Sequence, residues 1–370
     1  MGCVGIQELG YGQWSKEFHQ RIFNQRIPVE GSLELTFRCN NNCVHCYCNQ
    51  PVDDASEKNR EMDTATIKRI IGEAVDAGCL WILLTGGEPL LRPDFKEIYL
   101  YTKKKGVLIT LFTNGTLIND EIADFLAQWR PFSIEITLYG ATQKTYEAVT
   151  RNPGSYRQCI QGIELLLARN LPLKLKTVAI RQNVHEIPLI KSYAGRLGLD
   201  FRFDSMINTR LDRDKSSLSA RLPAEDVVRL DLEDEERLRA WKEFIDKYAG
   251  KSDSDRLYPC AAGNNSFHID PYGNLSICSI ARKESCSLKA GGFEDAWRDF
   301  IGRLKEKTLS PNNKCRECEF SFLCDQCPGW AQLEHGDDET PVDYLCQIAR
   351  KRAEAFGLYT VTKNTDAHRL

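Results

Sequence analysis

Apolar and polar positions alternate in two periods that take turns along the first two hundred residues. Leu33-Glu-Leu-Thr-Phe37 has the period of two that marks a half-buried strand. Asp63 then has the chemistry of a helix N-cap. Ile67, Ile70, Ile71, Ala74 and Val75 follow at helical spacing, and Gly78 closes that helix. The rhythm repeats. Trp81–Leu84 reads as a buried strand before a helix from about Asp94. Val107–Phe112 is a strand before a helix from Asn119. Ser133–Leu138 is a strand before a helix over Ser155–Ala168. Leu173–Ile180 is a strand before a helix after His185, and Phe201–Ser205 is a short sixth strand. Six strands alternating with helices predict a parallel sheet with helices on its outer face, and in such sheets chemistry gathers at the carboxyl ends of the strands.

Beyond residue 210 the pattern changes. Leu211 to Ser219 is polar and charged, and a strongly charged helix is expected over Ala224–Tyr248. Lys251-Ser-Asp-Ser-Asp255 reads as a linker. From Cys260 onward periodicity is poor and cysteines dominate, as in small domains where metal sites replace a hydrophobic core. The expected organisation is a segment over 1–30, a barrel over 31–223, a bridging helix and linker over 224–255, a cysteine-rich domain over 256–350 and a tail over 351–370.

Composition narrows the function classes. The chain has 370 residues, 42% hydrophobic and 27% charged, enough for a sizeable core. A net charge of −3 gives no global electrostatic case for nucleic acid or a membrane surface. Apolar runs such as Leu80–Leu84 fall far short of the roughly 20 residues that span a bilayer. Met1 to Tyr11 lacks the order of a signal peptide, so a cytoplasmic location is expected. Trp14, His19 and Phe23 sit on a segment with helical potential. It is too short for a dedicated leader-binding domain, so a separate leader-peptide-binding protein is one expectation.

The cysteines are the abnormal feature. There are 15, and they are clustered. In a large chain in a reducing compartment, closely spaced thiols indicate metal ligation rather than disulfides. Cys39-x3-Cys43-x2-Cys46 follows the first strand, on the loop at its carboxyl end. Three thiolates can hold three corners of a [4Fe–4S] cubane and leave the fourth iron open for catalysis, whereas electron carriers close it with a fourth cysteine. Zinc completed by Cys48 or His45 is the other reading of this loop. The second strand ends in Thr85-Gly86-Gly87-Glu88-Pro89, where two glycines let a ligand approach the backbone and Glu88 can accept from an amine.

The conjunction of Cys39-x3-Cys43-x2-Cys46 with Gly86-Gly87-Glu88-Pro89 resembles the radical S-adenosylmethionine (SAM) enzymes. That resemblance implies a partial (β/α)6 TIM-like barrel. It implies a [4Fe–4S] cluster on Cys39, Cys43 and Cys46, with SAM chelating the open iron. Reductive cleavage of SAM would yield a 5′-deoxyadenosyl radical that abstracts hydrogen. It further implies SAM contacts from Gly86 and Gly87, with Glu88 in the same turn, from Thr113 and Asn114 at the end of strand three, from Thr137 at the end of strand four, and from Arg151. Tyr139 stands where relatives often carry Asp, and Tyr139, Arg202 and Asp204 are the candidates to face the substrate.

The C-terminal pattern is Cys260, Gly273-x4-Cys278, Cys315-x2-Cys318-x5-Cys324-x2-Cys327 and Cys346. It resembles the seven-cysteine SPASM extension of radical SAM maturases, with one residue fewer in the last pair. The resemblance implies two auxiliary [4Fe–4S] clusters, one on Cys315, Cys318, Cys324 and Cys346, the other on Cys260, Cys278 and Cys327. The second set is one cysteine short. Either that iron is open or another group caps it, with Cys286 the nearest spare thiol. A pair of structural zinc sites is the rival for this segment.

The function expected from the resemblance is hydrogen abstraction from a peptide or protein, giving a crosslink, thioether or oxidation, with electrons from a donor such as flavodoxin or ferredoxin. A radical SAM enzyme acting on a small molecule or haem precursor is the alternative, and a non-catalytic iron–sulfur carrier is another. Sulfatase-type maturation is disfavoured, because those maturases carry a catalytic Asp after the Gly-x4-Cys cysteine and Ser279 stands there.

Overall fold

The structure, a computed structural model, describes residues 10–22, 25–249 and 255–358. Cys3, Phe23 and most of the expected linker lie outside the described residues. The helix α1 (Tyr11–Ile22) comes first, followed by six parallel strands: β1 (Glu30–Thr36), β2 (Trp81–Gly86), β3 (Leu108–Thr113), β4 (Ser133–Thr137), β5 (Leu173–Val178) and β6 (Phe201–Asp204). They pair in sequence order, each parallel to the next. The helices α2 (Thr64–Asp76), α3 (Phe95–Lys104), α4 (Asp120–Gln128), α5 (Gln143–Thr150), α6 (Ser155–Ala168) and α7 (Ile187–Arg196) fill the crossovers. The expected partial barrel is borne out: the sheet curves without a ladder closing it among the described residues.

Local chemistry explains the helix starts. Asp63 accepts from the Thr66 amide and Asn119 from the Ile122 amide, so both act as N-caps. The period of two then sorts the two faces of the sheet. Leu33, Leu35, Ile82, Leu84, Ile109, Leu111, Ile134, Ile136 and Leu175 are buried against the helices. The other parity turns Ser32, Glu34, Thr85, Thr137, Lys176, Arg202 and Asp204 into the lumen. At the amino ends of the strands Trp14, Phe18 and Ile22 of α1 pack on Trp81 and Val29 and cover that end of the barrel.

Two features depart from the sequence reading. The single charged helix expected over Ala224–Tyr248 is two, α8 (Ala224–Glu233) and α9 (Glu235–Tyr248). Asp234 breaks it by leaving helical geometry and accepting from the Glu236 and Arg237 amides as the cap of α9. The cysteine-rich segment is also less irregular than expected. Its strands β7 (Ser266–Ile269), β8 (Asn274–Ser276) and β9 (Cys286–Ser287) continue the barrel sheet beyond β1, with β7 parallel to β1. The last two helices among the described residues are α10 (Pro328–Glu334) and α11 (Asp343–Ala355). Among the described residues no helix is long and apolar enough to cross a membrane.

A buried charge cluster joins the barrel to the later strands. Glu34 is fully buried and accepts from Arg282 Nη1 (2.6 Å) and Nη2 (2.9 Å), from the Tyr47 hydroxyl (2.6 Å) and from His268 Nε2 (3.2 Å). Burial raises the Glu34 carboxyl, but His268 and Arg282 outweigh it and hold the group down at about 2. The stabilisation is therefore complete above the unfolded carboxylate range and is lost as pH falls toward 2. We expect Arg282→Met to leave the Glu34 charge with only His268 and Tyr47 as partners and cost about 3–5 kcal/mol. Urea unfolding of the holoprotein under nitrogen measures this, and acid unfolding of the variant should begin at a higher pH than in the wild type.

Candidate functional site

A cavity of about 650 Å³ opens at the carboxyl ends of the strands and is lined by Cys39, Cys43 and Cys46 together with Gly86, Gly87, Thr113, Asn114, Thr137, Tyr139, Arg202 and Asp204. Residues separated by as much as 165 positions in sequence thus meet at one place. The loop that carries the three thiols is tied down from several sides. The Asn42 amide donates to Thr150 O (2.8 Å) and the Val44 amide to Val149 O (3.0 Å), which pins the loop to the end of α5. Asn152 Nδ2 donates to Asn40 O (3.0 Å) and Asn41 Oδ1 (2.9 Å). Arg210 Nη1 donates to Cys46 O (3.2 Å) from beyond β6.

The Gly-Gly turn is packed against the same loop. The Gly87 amide donates to Thr36 O (2.7 Å) and the Glu88 amide to Arg38 O (2.9 Å). A Cβ at Gly86 would stand 2.2 Å from Thr36 O, and one at Gly87 would stand 2.3 Å from Arg38 O. Gly86 also has a φ of +128°, open to glycine alone in practice. The glycines are required by the approach of two backbones, in addition to any room they leave for a ligand.

The expected site residues separate into two groups. Cys39, Cys43, Cys46, Gly86, Gly87, Thr113, Asn114 and Thr137 come together on the cavity wall, as do Tyr139, Arg202 and Asp204. Glu88 is fully buried and does not line the cavity. It accepts from Thr113 Oγ1 (2.8 Å), the Asn114 amide (2.7 Å) and the Leu90 amide (3.1 Å), and burial pushes its carboxyl up to about 7. It braces the ends of β2 and β3 from behind. Arg151 ends α5 in the left-handed conformation (φ +52°), exposed and off the cavity wall. Cys48 lies buried beside Cys46 and likewise off that wall.

Sequence reasoning missed the polar residues that hold the thiols. Asn114 Nδ2 donates to Asn40 Oδ1 (2.9 Å) and approaches Cys39 Sγ (3.7 Å), while the Asn41 amide points at the same sulfur (3.4 Å). The run Asn40-Asn41-Asn42 between two cysteines was the available signal. Also missed was Lys176, level in register with Thr137 and Arg202 on the neighbouring strands. Glu135 Oε2 takes Arg202 Nη2 at 2.6 Å and lies 3.5 Å from Lys176 Nζ, and burial pushes the Lys176 ammonium well below its usual range.

The donor set fits an iron–sulfur group. Burial, reinforced by Glu88, pushes the Cys39 thiol up to about 12 and burial raises Cys43 well above its ordinary value, while the neighbouring Cys48 thiol pulls Cys46 down to about 7. Clustered buried thiols of this kind ionise when a cationic metal centre takes the protons' place. Among the described residues no trio of His, Cys, Asp and Glu is grouped to chelate a single ion. The cavity is also prepared for a polar ligand: Asn41, His45, Thr177 and His268 on its wall each carry a buried polar atom without a protein partner.

The later cysteines divide as three and four. The Cys278 and Cys327 thiols, raised by burial, also feel each other's charge or that of Cys260. Cys315, Cys324 and Cys346, likewise raised by burial, feel one another and Cys318. A second cavity, of about 510 Å³, is lined by Cys315, Cys318, Cys324, Cys327 and Cys346. Cys278 borders the lower part of the barrel lumen beside His268 and Glu135. Cys286 instead pairs with Leu275 in the sheet and packs on the core. Cys79 and Cys159 are buried core thiols, and none of the described cysteines is in a disulfide.

Residues 33–193 match the Radical SAM superfamily. The AdoMet-dependent heme synthase of Methanosarcina barkeri is 26% identical over 330 residues, covering 82% of this chain and 92% of that protein. The mycofactocin maturase MftC of Mycobacterium ulcerans is 28% identical over 281 residues, covering 74% and 75%. Among solved structures, Streptococcus suis SuiB bound to its precursor peptide SuiA superposes with a TM-score of 0.66 at 14% identity, covering 93% of this chain and 84% of that one.

The Gly-Gly turn gives a direct check on the site. In Gly87→Ala the new methyl group must push the turn off Arg38 O. We expect iron bound in the barrel to be lost while iron bound by the later cysteines stays, read as a fall of about four irons per chain by anaerobic metal analysis.

Proposed function

The chain belongs to the radical SAM enzymes, and on that premise we propose that it modifies a peptide or protein by hydrogen abstraction inside the barrel. Being an enzyme, it is set apart from the electron-carrier reading. The observation that carries the proposal is the meeting of three thiols, a Gly-Gly turn and a charged, polar lumen around one cavity at the carboxyl ends of parallel strands. Cys39, Cys43 and Cys46 would hold the [4Fe–4S] cluster and leave one iron to bind SAM. Bound there, cluster and cofactor together supply the 5′-deoxyadenosyl radical that removes a hydrogen atom from the substrate. Gly86, Gly87, Asn114 and Thr137 line the space for SAM. Glu88 acts through Thr113 and Asn114 from behind the cavity wall, and Arg151 lies off that wall.

The lumen suits a chain with polar groups. Tyr139, Lys176, Arg202 and Asp204 offer hydrogen bonds and charge on one wall, where an apolar barrel core would have offered neither. The three-thiol set of Cys260, Cys278 and Cys327 reaches the lumen through Cys278, and the four-thiol set lies beyond it with Cys318 at the surface. We assign these sets to two auxiliary [4Fe–4S] clusters in a SPASM-like unit over 256–350. They would receive the electron released when the substrate radical is oxidised, with a flavodoxin or ferredoxin as external donor in a reducing cytoplasm. Cys260, Cys278 and Cys327 would leave one iron of that cluster without a cysteine, Cys286 packing on the core instead.

A second reading has its own support. The heme synthase likeness spans 92% of that protein, so a haem precursor or another small molecule is the competing substrate class. Both readings share the first step. Reconstituted under nitrogen with SAM and dithionite, the protein should release 5′-deoxyadenosine. The Cys39→Ala/Cys43→Ala/Cys46→Ala variant should release none, and its iron should fall from about twelve to about eight per chain. Stoichiometric zinc with no iron would end the proposal.

A further inference from the structure

Oxidation of a substrate radical needs a place for a proton as well as for an electron, and His268 is built for it. It lies on β7, opposite Ser32 of β1, and its flanking residues Phe267 and Ile269 go into the core. This parity puts His268 on the lumen face with Ser32 and Glu34. It borders both the upper cavity and the lower lumen, where Cys278 and Ser279 are its neighbours on the wall. Its side chain is 2% exposed.

The hydrogen bonds fix its tautomer. Glu34 already accepts from Tyr47 and from both Arg282 nitrogens, and an ionised carboxylate only accepts. His268 Nε2, 3.2 Å from Glu34 Oε2, therefore carries the hydrogen. In the neutral ring Nδ1 then carries the lone pair, and it is buried without a protein partner. A buried nitrogen without a partner costs stability, and the residue that carries it is one of those lining the ligand cavity. A carboxylate behind an imidazole, with the far nitrogen free, is the arrangement that orients a base and stabilises the imidazolium it becomes. Of the other charged groups around the lumen, Glu135 holds Lys176 and Arg202, Asp204 accepts from the Met206 amide, Asp325 pairs with Arg352 and Glu30 with His19, and Ser279 is no base.

We propose that His268 is a catalytic proton acceptor in the oxidation of the substrate radical, oriented by Glu34. The proposal deepens the function given above and rests on it. The balance is as follows. One C–H hydrogen leaves as an atom and ends in 5′-deoxyadenosine. The remaining carbon radical forms a bond to X of an X–H group in the same substrate, where X is sulfur, nitrogen, oxygen or carbon. One electron passes to an oxidised auxiliary [4Fe–4S] cluster, which is reduced, and the proton of X–H passes to His268 Nδ1. The product is the substrate less two hydrogen atoms.

The test uses His268→Gln, which keeps a donor for Glu34 and a polar tip but cannot take up a proton. Wild-type and variant holoenzymes are incubated under nitrogen with SAM, dithionite and two fractions of extract from cells that carry the gene, one of peptides and one of small molecules. Mass spectrometry finds the species lighter by two hydrogens, and 5′-deoxyadenosine is measured in parallel. We expect iron content and 5′-deoxyadenosine to match the wild type, product per 5′-deoxyadenosine to fall at least about 100-fold, and an organic radical to accumulate in the paramagnetic resonance spectrum. An unchanged ratio overturns the assignment. So does a parallel loss of product and 5′-deoxyadenosine, which would mark a structural role. A product found only in the small-molecule fraction removes the peptide reading and leaves His268 to be judged by the same ratio. No two-hydrogen oxidation by the wild type in either fraction overturns both.

Discussion

Glu34 is the charge on which the two parts of the chain close. It stands on the first strand of the barrel, yet its partners come from the cysteine loop (Tyr47) and from the later strands (Arg282, His268). A carboxylate this deep is tolerable only if its partners arrive together. The barrel, the loop and the C-terminal strands therefore fold to one geometry or leave a buried charge unmatched. The consequence is positional. Tyr47 follows Cys46 directly, so the same contacts that bind the C-terminal strands to β1 also set where the thiol loop sits. The continuous sheet through β7, β1 and β2 makes that coupling stiff.

The second organising constraint is the inversion of polarity across the sheet. Parallel sheets buried on both faces usually read as continuous apolar runs. Here the strands alternate, because one face meets helices and the other meets a cavity. An apolar residue at Lys176 or Glu135 would fill the lumen and remove its charges, whereas Glu135 lets two cations share one carboxylate beside Phe112. That arrangement is costly in stability and is kept at a place where a ligand can meet it, as expected of a functional cavity. The close backbone contacts at Gly86 and Gly87 belong to the same economy of space: they bring the end of β2 against the thiol loop with no side chain between them.

How much of this was legible depended on the range of the forces involved. Periods of two and of 3.6, and caps such as Asp63 and Asn119, act within a few residues, so the six strands and most crossover helices could be read directly. Helix α6 fell where its apolar spacing put it. The short helix α5 carries only eight residues, too few for a clear period, and it was not anticipated. Asp234 was legible in principle, since a capping residue inside a charged run is a local signal. The thiol spacing located the cysteine loop, but the groups that immobilise it come from Asn114, Thr150, Asn152 and Arg210. Contacts across seventy to more than one hundred and sixty residues leave no mark on local pattern. Glu88 shows the opposite error: a short motif named the residue and not its direction, and its carboxylate points into the protein.

The division of the later cysteines follows from the same geometry and gives the chain a direction. Cys278 is placed by the ladder between β8 and β7, since Ser276 pairs with His268 two residues before it. Its position on the lumen is thus fixed by the strand that carries His268. Cys327 stands at the start of α10, bordering the cavity of the four-thiol set while feeling the charge of Cys278 and Cys260. Cys318, in that outer set, is exposed. Cys260, in the three-thiol set, is exposed as well. On the proposed reading, an electron removed from a substrate in the barrel would pass to the auxiliary clusters, and the proton to His268. Separation of the two at their origin is what an oxidation in a closed cavity requires, because an electron can leave through protein along metal centres whereas a proton needs a base within contact distance.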